Sequence, residues 1–512
     1  MSAYADTTVG VRSLERAMTV ADAAWEKTIV GTPTNLYMAD VCSTQNNERS
    51  GPSDVWPYTA AIEAHCSILE ALETAKSIHP DLYANHRDRY VTRLAQLIDN
   101  LEYYRGTLTL SSYANRQVWK PFAVPRASNR GRANVSGILN VYDDQMWLAR
   151  ELIRAYRLTG NVSYLAEATS LTDYVLDGWD CWRDGNGREY GGITWGPGYN
   201  SKHACSNAPI IQPLVWLHGI YKDRGEEYTL HYRDADGERQ QEKLNRSQAY
   251  LDWARKVYAW QKANLLVTSG SDRGVYADMM GAENVIQYVT EGRVQYRAHV
   301  DTGSKTGTAY PYNSGTMLAG ATELYVATGE DAYLTDLRSL AISCYTRFAT
   351  TQRGGTRFVE FTNNDATAEN GFMTWFIDVL LRAFIDAEPY VENNRLLLAL
   401  DGHLANLDNA FENYNRGNLL PIHLTSGWGT EVKTKGFHQF TFASEYAMLA
   451  NRLLQQEVSE TSISAPKTVD MDARTDIFTP NGRKVTRDTI RNARHTLSRG
   501  LYVTQGRKFT VE

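Results

Sequence analysis

The chain has 512 residues, 43% hydrophobic and 22% charged, an ordinary globular composition with enough apolar material for a large core. Its net charge of -6 excludes an overall basic field that would recruit nucleic acid or anionic membrane. No apolar run approaches the ~20 residues that span a bilayer, and five scattered cysteines without a CxxC or HExxH exclude a disulfide scaffold or zinc site.

The first residues, MSAYADTTVGVRSLERAM, contain no apolar signal-peptide core. Apolar residues then recur at spacings of three and four over 9–29, 55–76, 84–103, 143–158, 163–177 and 207–222. The same period returns over 246–264, 313–328, 331–349, 371–386, 393–413 and 437–455. Twelve predicted helices make six hairpins, the number that closes an all-α (α/α)6 ring. A weak repeat supports the ring: YDDQMWLARELIRAYRLTGNVSYLAEA (142–168) aligns with YNSGTMLAGATELYVATGEDAYLTDL (312–337) when Gly160 is set on Gly329. Each glycine is expected to be the left-handed cap at which the chain reverses. A third copy, 207–228, keeps the Tyr and Gly of the turn. The alignment sets Asp144 opposite Asn313 at matching helix starts, which a toroid would open onto one face.

Three stretches break the helical period. Residues 105–141 read as a long loop, and 228–240 and 285–300 as polar hairpins. After about residue 458 a SETSISAP linker leads into TDIFTPNGRKV and SRGLYVTQGRKFTVE, whose alternation around Asn-Gly and Gln-Gly predicts a small basic β unit. The expected division is therefore 1–457 for the (α/α)6 catalytic domain and 458–512 for the linker and β appendage.

Asp143 and Asp144 open one of the most amphipathic of these helices, where unpaired N–H groups and the helix dipole favour a carboxylate. A single aspartate there is an ordinary N-cap. Two in succession suit glycoside hydrolysis with retention, which needs two carboxyl groups ~5–5.5 Å apart. Neighbours within a regular helix do not face each other, so the pair is expected to straddle the helix start, the first residue extended and the second helical. Each charge would raise the other's pKa and keep one carboxyl protonated as the acid.

VYDDQMWLARELIRAYRLTG, GGITWG (191–196), SKHACSNAPII (201–211), GVYADMM (274–280) and YPYNSGTMLAGATELYVATGEDAYL (310–334), preceded by SDVWPYTAAIEA (53–64), resemble glycoside hydrolase family 76 from about residue 50 to 390. The resemblance implies an (α/α)6 barrel acting as an endo-α-1,6-mannanase, with Asp143 as nucleophile and Asp144 as acid/base. It also implies sugar contacts from Trp195, Asn207, Tyr312 and Asn313. Ser314 stands where the family has an amide, and Gln145-Met146-Trp147 replaces the common Met-Ala-Trp-Trp, departures that bear on fine specificity. Trp147 and Asp278 are added as sugar contacts, with core packing and loop bracing as their alternatives. Lys202 and His203 are assigned a surface role, and His438 a structural one. The Asn-x-Ser triplets at Asn134, Asn161 and Asn245 imply nothing.

The tail resembles the C-terminal β module of secreted proteins of the Bacteroidetes phylum. That implies export to the periplasm, cell surface or medium, with the signal peptide absent from this sequence. The expected activity is retaining hydrolysis of α-1,6-linked mannan, with no metal or organic cofactor, no nucleic-acid partner and no membrane span, by a monomer. The rivals are a transglycosidase using the same pair, a sugar epimerase with histidine bases, and a non-catalytic glycan-binding protein. All site residues are expected to converge on one groove at one mouth of the ring.

Overall fold

The structure is a computed structural model that describes residues 8–281, 285–349, 351–352, 359–360, 372–464, 474–479, 484–497, 500–504 and 507–511. Two compact units divide the chain, Met1–Gln456 and Glu457–Glu512.

Among the described residues twelve long helices begin in the first unit: α1 (Val9–Thr28), α2 (Val55–Ala75), α3 (Pro80–Asn100), α4 (Tyr142–Thr159), α5 (Val162–Asp177) and α6 (Ile211–Tyr221), then α7 (Arg246–Leu265), α8 (Pro311–Thr328), α9 (Asp331–Phe348), α10 (Met373–Ala387), α11 (Arg395–Asn413) and α12 (Gly436–Ser464), the last running past Gln456. All twelve predicted helices are present, and their ends shift where proline chemistry intervenes. Pro80 starts α3 four residues early, because a proline at the first position gives up only an N–H with no helical partner. Residues 208–210, around Pro209, form a 3-10 turn instead of joining α6.

The even-numbered helices form the inner ring and the odd-numbered helices the outer one. Burial separates them: α4 is buried without a break from Asp144 to Ala155, whereas α3 buries only Tyr90, Leu94, Leu97 and Asn100. The ring closes between α2 and α12, where Ser67 and Ser444 hydroxyls lie 3.1 Å apart and Thr74 donates to Asn451 at 2.6 Å. The repeat has the expected basis: Gly160 and Gly329 cap α4 and α8 in the left-handed region, at φ 71° and 70°. In the third copy α6 ends sooner, at Tyr221, and Asp223 also takes a positive φ, but Gly225 keeps the left-handed conformation at φ 71°.

The lumen contains charge as well as apolar side chains. Glu63 on α2 pairs with Arg382 on α10 and accepts from Trp375 Nε1 at 3.0 Å. On α4, Arg154 reaches Glu70 and Glu151, both at 2.7 Å, and Arg150 pairs with Glu151. These contacts tie α2, α4 and α10 across the ring, beneath the first turn of α4.

The excursions are more ordered than their composition suggested. The 105–141 loop contains a hairpin, Leu108–Ser111 with Arg116–Trp119. Both predicted hairpins form, Glu227–Arg233 with Arg239–Asn245 and Tyr288–Glu291 with Val294–Arg297. The second unit carries a four-stranded antiparallel sheet in the order Lys484–Asp488, Thr475–Phe478, Gly500–Thr504, Arg507–Val511. It also has a short helix, α13 (Ile490–Thr496), capped by the Thr489 side chain, which the reading of alternation missed. Among the described residues no helix is long and apolar enough to cross a membrane.

Candidate active site

The aspartate pair does not straddle the start of α4. Val141 is the extended N-cap and the helix begins at Tyr142, so Asp143 and Asp144 both lie in its first turn. What lets the two carboxyls act together is their place at the helix end. The Asp143 carboxylate receives its own backbone N–H and that of Asp144, two of the donors a helix N-terminus leaves unpaired. Gln145 fixes the approach to the helix: its amide bonds both the N–H and the carbonyl of Phe122 at 2.9 Å, holding the 105–141 loop against α4.

Trp195 is brought to the pair by the Gly-Gly-Ile-Thr-Trp-Gly turn. Two of its glycines are sterically required: a Cβ on Gly192, at φ 78°, would meet the Trp260 ring at 2.3 Å, and one on Gly196 would meet the Asn140 carbonyl at 2.4 Å. The Trp195 carbonyl then accepts the Tyr142 N–H at 2.8 Å, and its ring stacks on His203 with centroids 4.7 Å apart. Its indole Nε1 leans on the Asp143 carboxylate, yet neither that nitrogen nor Asp143 Oδ1 completes a hydrogen bond of normal geometry.

Opposite stands the start of α8. Tyr312 donates to Asp278 Oδ1 at 3.1 Å, and the Asn313 amide also bonds Asp278 while its Oδ1 stays buried and unbonded. Ser314 accepts the Tyr276 N–H at 3.0 Å, tying the loop that carries Asp278 to α8. The Cys205 thiol lies against both Asp143 and Tyr312. Two groups that touch one sulfur lie within roughly 8 Å of each other. Asp143, Trp195, Asp278, Tyr312 and Asn313 therefore share one site. Three of its buried atoms, on Asp143, Trp195 and Asn313, have no hydrogen-bond partner and could receive a polar ligand.

Burial is the main electrostatic force on the pair. It pushes Asp143 up to about 7, against the thiol and N–H donors that pull it down. It drives Asp144 well above the carboxylate range, with the charges of Asp143 and then Asp54 adding to the rise. The mutual repulsion expected from sequence is real but second to desolvation.

Three assignments need correction. Trp147 sits one turn further along α4, 5% exposed and edge-on to Trp375 at 4.6 Å, so it packs in the ring interior rather than against a sugar. Asn207 is fully buried and its amide is spent on backbone: it accepts from Ile193 N–H at 2.8 Å and donates to the carbonyls of Ile193 and His203. It braces the Trp195 turn and has no donor left for a hydroxyl. Lys202 and His203 are buried rather than on the surface. Lys202 is paired to Asp180 at 2.8 Å, and burial lowers His203 to about 4, which keeps it a neutral stacking partner. Two contributors escaped the sequence reading. Cys205 left no sign beyond its place in a matched block. Asp54, the N-cap of α2, left a better one, since it begins an inner helix as Asp144 and Asn313 do.

The family model Glycosyl hydrolase family 76 matches residues 127–223 and 242–396. The mannan endo-1,6-alpha-mannosidase DCW1 of Saccharomyces cerevisiae is 26% identical over 172 residues, 34% of this chain and 29% of that protein's length. A family 76 mannosidase of Bacteroides thetaiotaomicron VPI-5482, Bt3792, superimposes with a TM-score of 0.62 at 18% identity, over 87% of this chain and 100% of that one. An inactive variant of the α-1,6-mannanase GH76A of Salegentibacter sp. HEL1_6, in complex with α-1,6-mannotetrose, has two consecutive aspartates replaced by alanine. It superimposes with a TM-score of 0.54 at 19% identity, over 86% and 99% of the two chains. The matched segments contain the Asp143–Asp144 helix start, the Trp195 turn and the Tyr312–Asn313 helix start, and the ring that carries them has the fold of these structures: the chain belongs to glycoside hydrolase family 76.

Proposed function

We propose that the protein is a retaining endo-α-1,6-mannosidase that hydrolyses the α-1,6-linked backbone of mannan. The observation that carries this reading is the Asp143–Asp144 pair, two carboxyls at one helix start whose surroundings set their proton affinities apart. Asp143, the more acidic, attacks the anomeric carbon while Asp144 gives its proton to the departing oxygen. Water that returns its proton to Asp144 then attacks the glycosyl ester, and the configuration is restored. The family, the yeast relative's activity and the mannanase inactive without two consecutive aspartates all support this assignment. The epimerase reading gains little from His203, which is stacked on Trp195 and held far less basic than usual.

The test is linear α-1,6-mannan. A ladder of oligosaccharides, each first released as the α-anomer by NMR, is the expected result. Release of mannose alone would overturn endo action, and an initial β-anomer would overturn retention.

The pH profile follows from the same pair. Activity should rise through about pH 7 as Asp143 loses its proton, and fall only when Asp144 loses its own. A free aspartate titrates near 3.9, so both raised carboxyls favour folding most at low pH and lose that contribution as pH rises toward their folded values. Asp144→Asn should therefore melt higher than the parent at pH 8 and equally at pH 3. An acidic optimum near pH 4, or no gain in melting temperature at pH 8, would contradict the assignment.

Export fits this reading, because a polysaccharide substrate lies outside the cell. The resemblance of the tail to the β module of secreted proteins supports it.

A further inference from the structure

A cavity of about 500 Å³ lies apart from the aspartate site, between the 108–119 and 227–245 hairpins, the end of α5 and one side of α7. That volume is within the range of sites that hold small ligands, ~300–1,000 Å³. None of Asp143, Asp144, Trp195, Asp278, Tyr312 and Asn313 lines it. The segment from Trp179 to Trp195 stands between the two sites, with Trp179 on the cavity side and Trp195 beside Asp143. The mechanism uses nothing in this cavity.

Its lining has a distinct chemistry. Trp119 is held by its indole Nε1 on Asp177 Oδ2 at 3.1 Å, and Asp177 Oδ1 accepts from Ser112 at 2.8 Å. Trp179 donates to Glu189 at 2.8 Å, which also binds Lys256 at 2.6 Å. These rings and carboxyls are therefore set before any ligand arrives. The half-buried Gln117, His231 and Tyr232 and the exposed Glu242 also line the cavity, with side chains that have no hydrogen-bond or ion-pair partner among the described residues.

Charge narrows the ligand. Five carboxylates and two cations line the cavity, a field that repels phosphate, sulfate or a uronate. A further cation meets Lys256 and Arg246 in the lining, with Lys256 Nζ already 5.0 Å from the Trp179 centroid and 4.6 Å from that of Trp253, while Trp119 and Tyr232 offer other rings. A neutral pyranose fits both facts. Its apolar face packs on a Trp or Tyr ring, and its hydroxyls donate to carboxylate and amide oxygens.

We propose that this cavity is a second, non-catalytic glycan-binding site that holds one stretch of a mannan chain while the aspartate pair works on another. The choice of mannan rests on the activity proposed above. Two sites on one polymer raise the local concentration of chain at the acids, a gain that a short oligosaccharide bridging neither distance cannot receive.

Tyr232→Ala and Glu242→Gln remove groups without protein partners and should leave the fold unchanged. Each is expected to raise KM on polymeric α-1,6-mannan roughly fivefold or more while kcat/KM on α-1,6-mannotriose stays as in the parent. Calorimetry of the Asp143→Asn/Asp144→Asn protein with α-1,6-mannotetraose should find two sites per chain, and one after Tyr232→Ala is added. Cleavage of mannan with unchanged KM in both variants and a single oligosaccharide per chain would overturn the second site and leave the proposed activity standing. Absence of both cleavage and binding in the parent would overturn the two together.

Discussion

Asp143→Asn and Asp144→Asn are each expected to lower turnover on linear α-1,6-mannan by at least ~10², with the fold intact. Asparagine keeps the shape of either side chain and the N–H contacts of the helix start. At Asp143 it removes the nucleophile, so no glycosyl-enzyme forms and no leaving group rescues the reaction. At Asp144 it removes the proton donor, which matters less when the departing group is already acidic. An aryl α-mannoside with a nitrophenolate leaving group should therefore recover part of the first step in Asp144→Asn and none in Asp143→Asn. That difference separates the two roles, which loss of activity alone does not. Near-normal turnover of mannan by either variant would remove that residue from the mechanism, and equal rescue of both would exchange or dissolve their assignments.

The second large effect lies beneath the site and concerns stability. Glu63→Gln is expected to cost about 3–5 kcal/mol, because it leaves a buried guanidinium uncompensated. The Glu63 and Arg382 side chains are 3% and 10% exposed, and Arg150 approaches Glu63 at 3.6 Å. Arg150 is already held below the usual guanidinium value, first by burial and then by Arg382 beside it. Without Glu63 the carboxylates left within 4 Å of the two cations, among the described residues, are Glu151 and Asp378. Adding Arg382→Met should return most of the loss, since replacing both partners of a buried pair is often neutral. Urea unfolding measures both. A loss below about 1 kcal/mol in Glu63→Gln would mean that water reaches the lumen and screens the cluster.

The twelve helices were legible because each must bury a stripe of side chains, and that demand writes a period of three and four into the chain. The caps at Gly160 and Gly329 were legible for a similar reason: reversal after a helix calls for a left-handed residue, and glycine adopts it freely. Asp143 and Asp144 stood out by chemistry and adjacency. Even there the helix start was misplaced by a residue or two, since the first turn of a helix has the same composition as the loop before it.

What periodicity reports is whether a position is covered, and by neighbours a few residues away. It does not report which distant group covers it. Trp147 and Trp195 are both large aromatics in matched blocks, and only the packing of α4 against α10 turns the first into the ring interior. Asn207 looked like a sugar ligand until three backbone groups were found on its amide. Lys202 and His203 read as surface residues because charge and a neighbouring loop suggest water, whereas Asp180, twenty-two positions earlier, neutralises Lys202 in the interior. Cys205, with no pattern of its own, joins Asp143 to Tyr312 across more than a hundred residues of chain. Local pattern was enough for the helices and the ring, and it singled out the aspartate pair, because each obeys a rule of neighbouring residues. Which polar side chains are spent on protein partners and which are left without one was decided only by the closed ring, because hydrogen bonds and charge act through space between segments that the sequence keeps far apart.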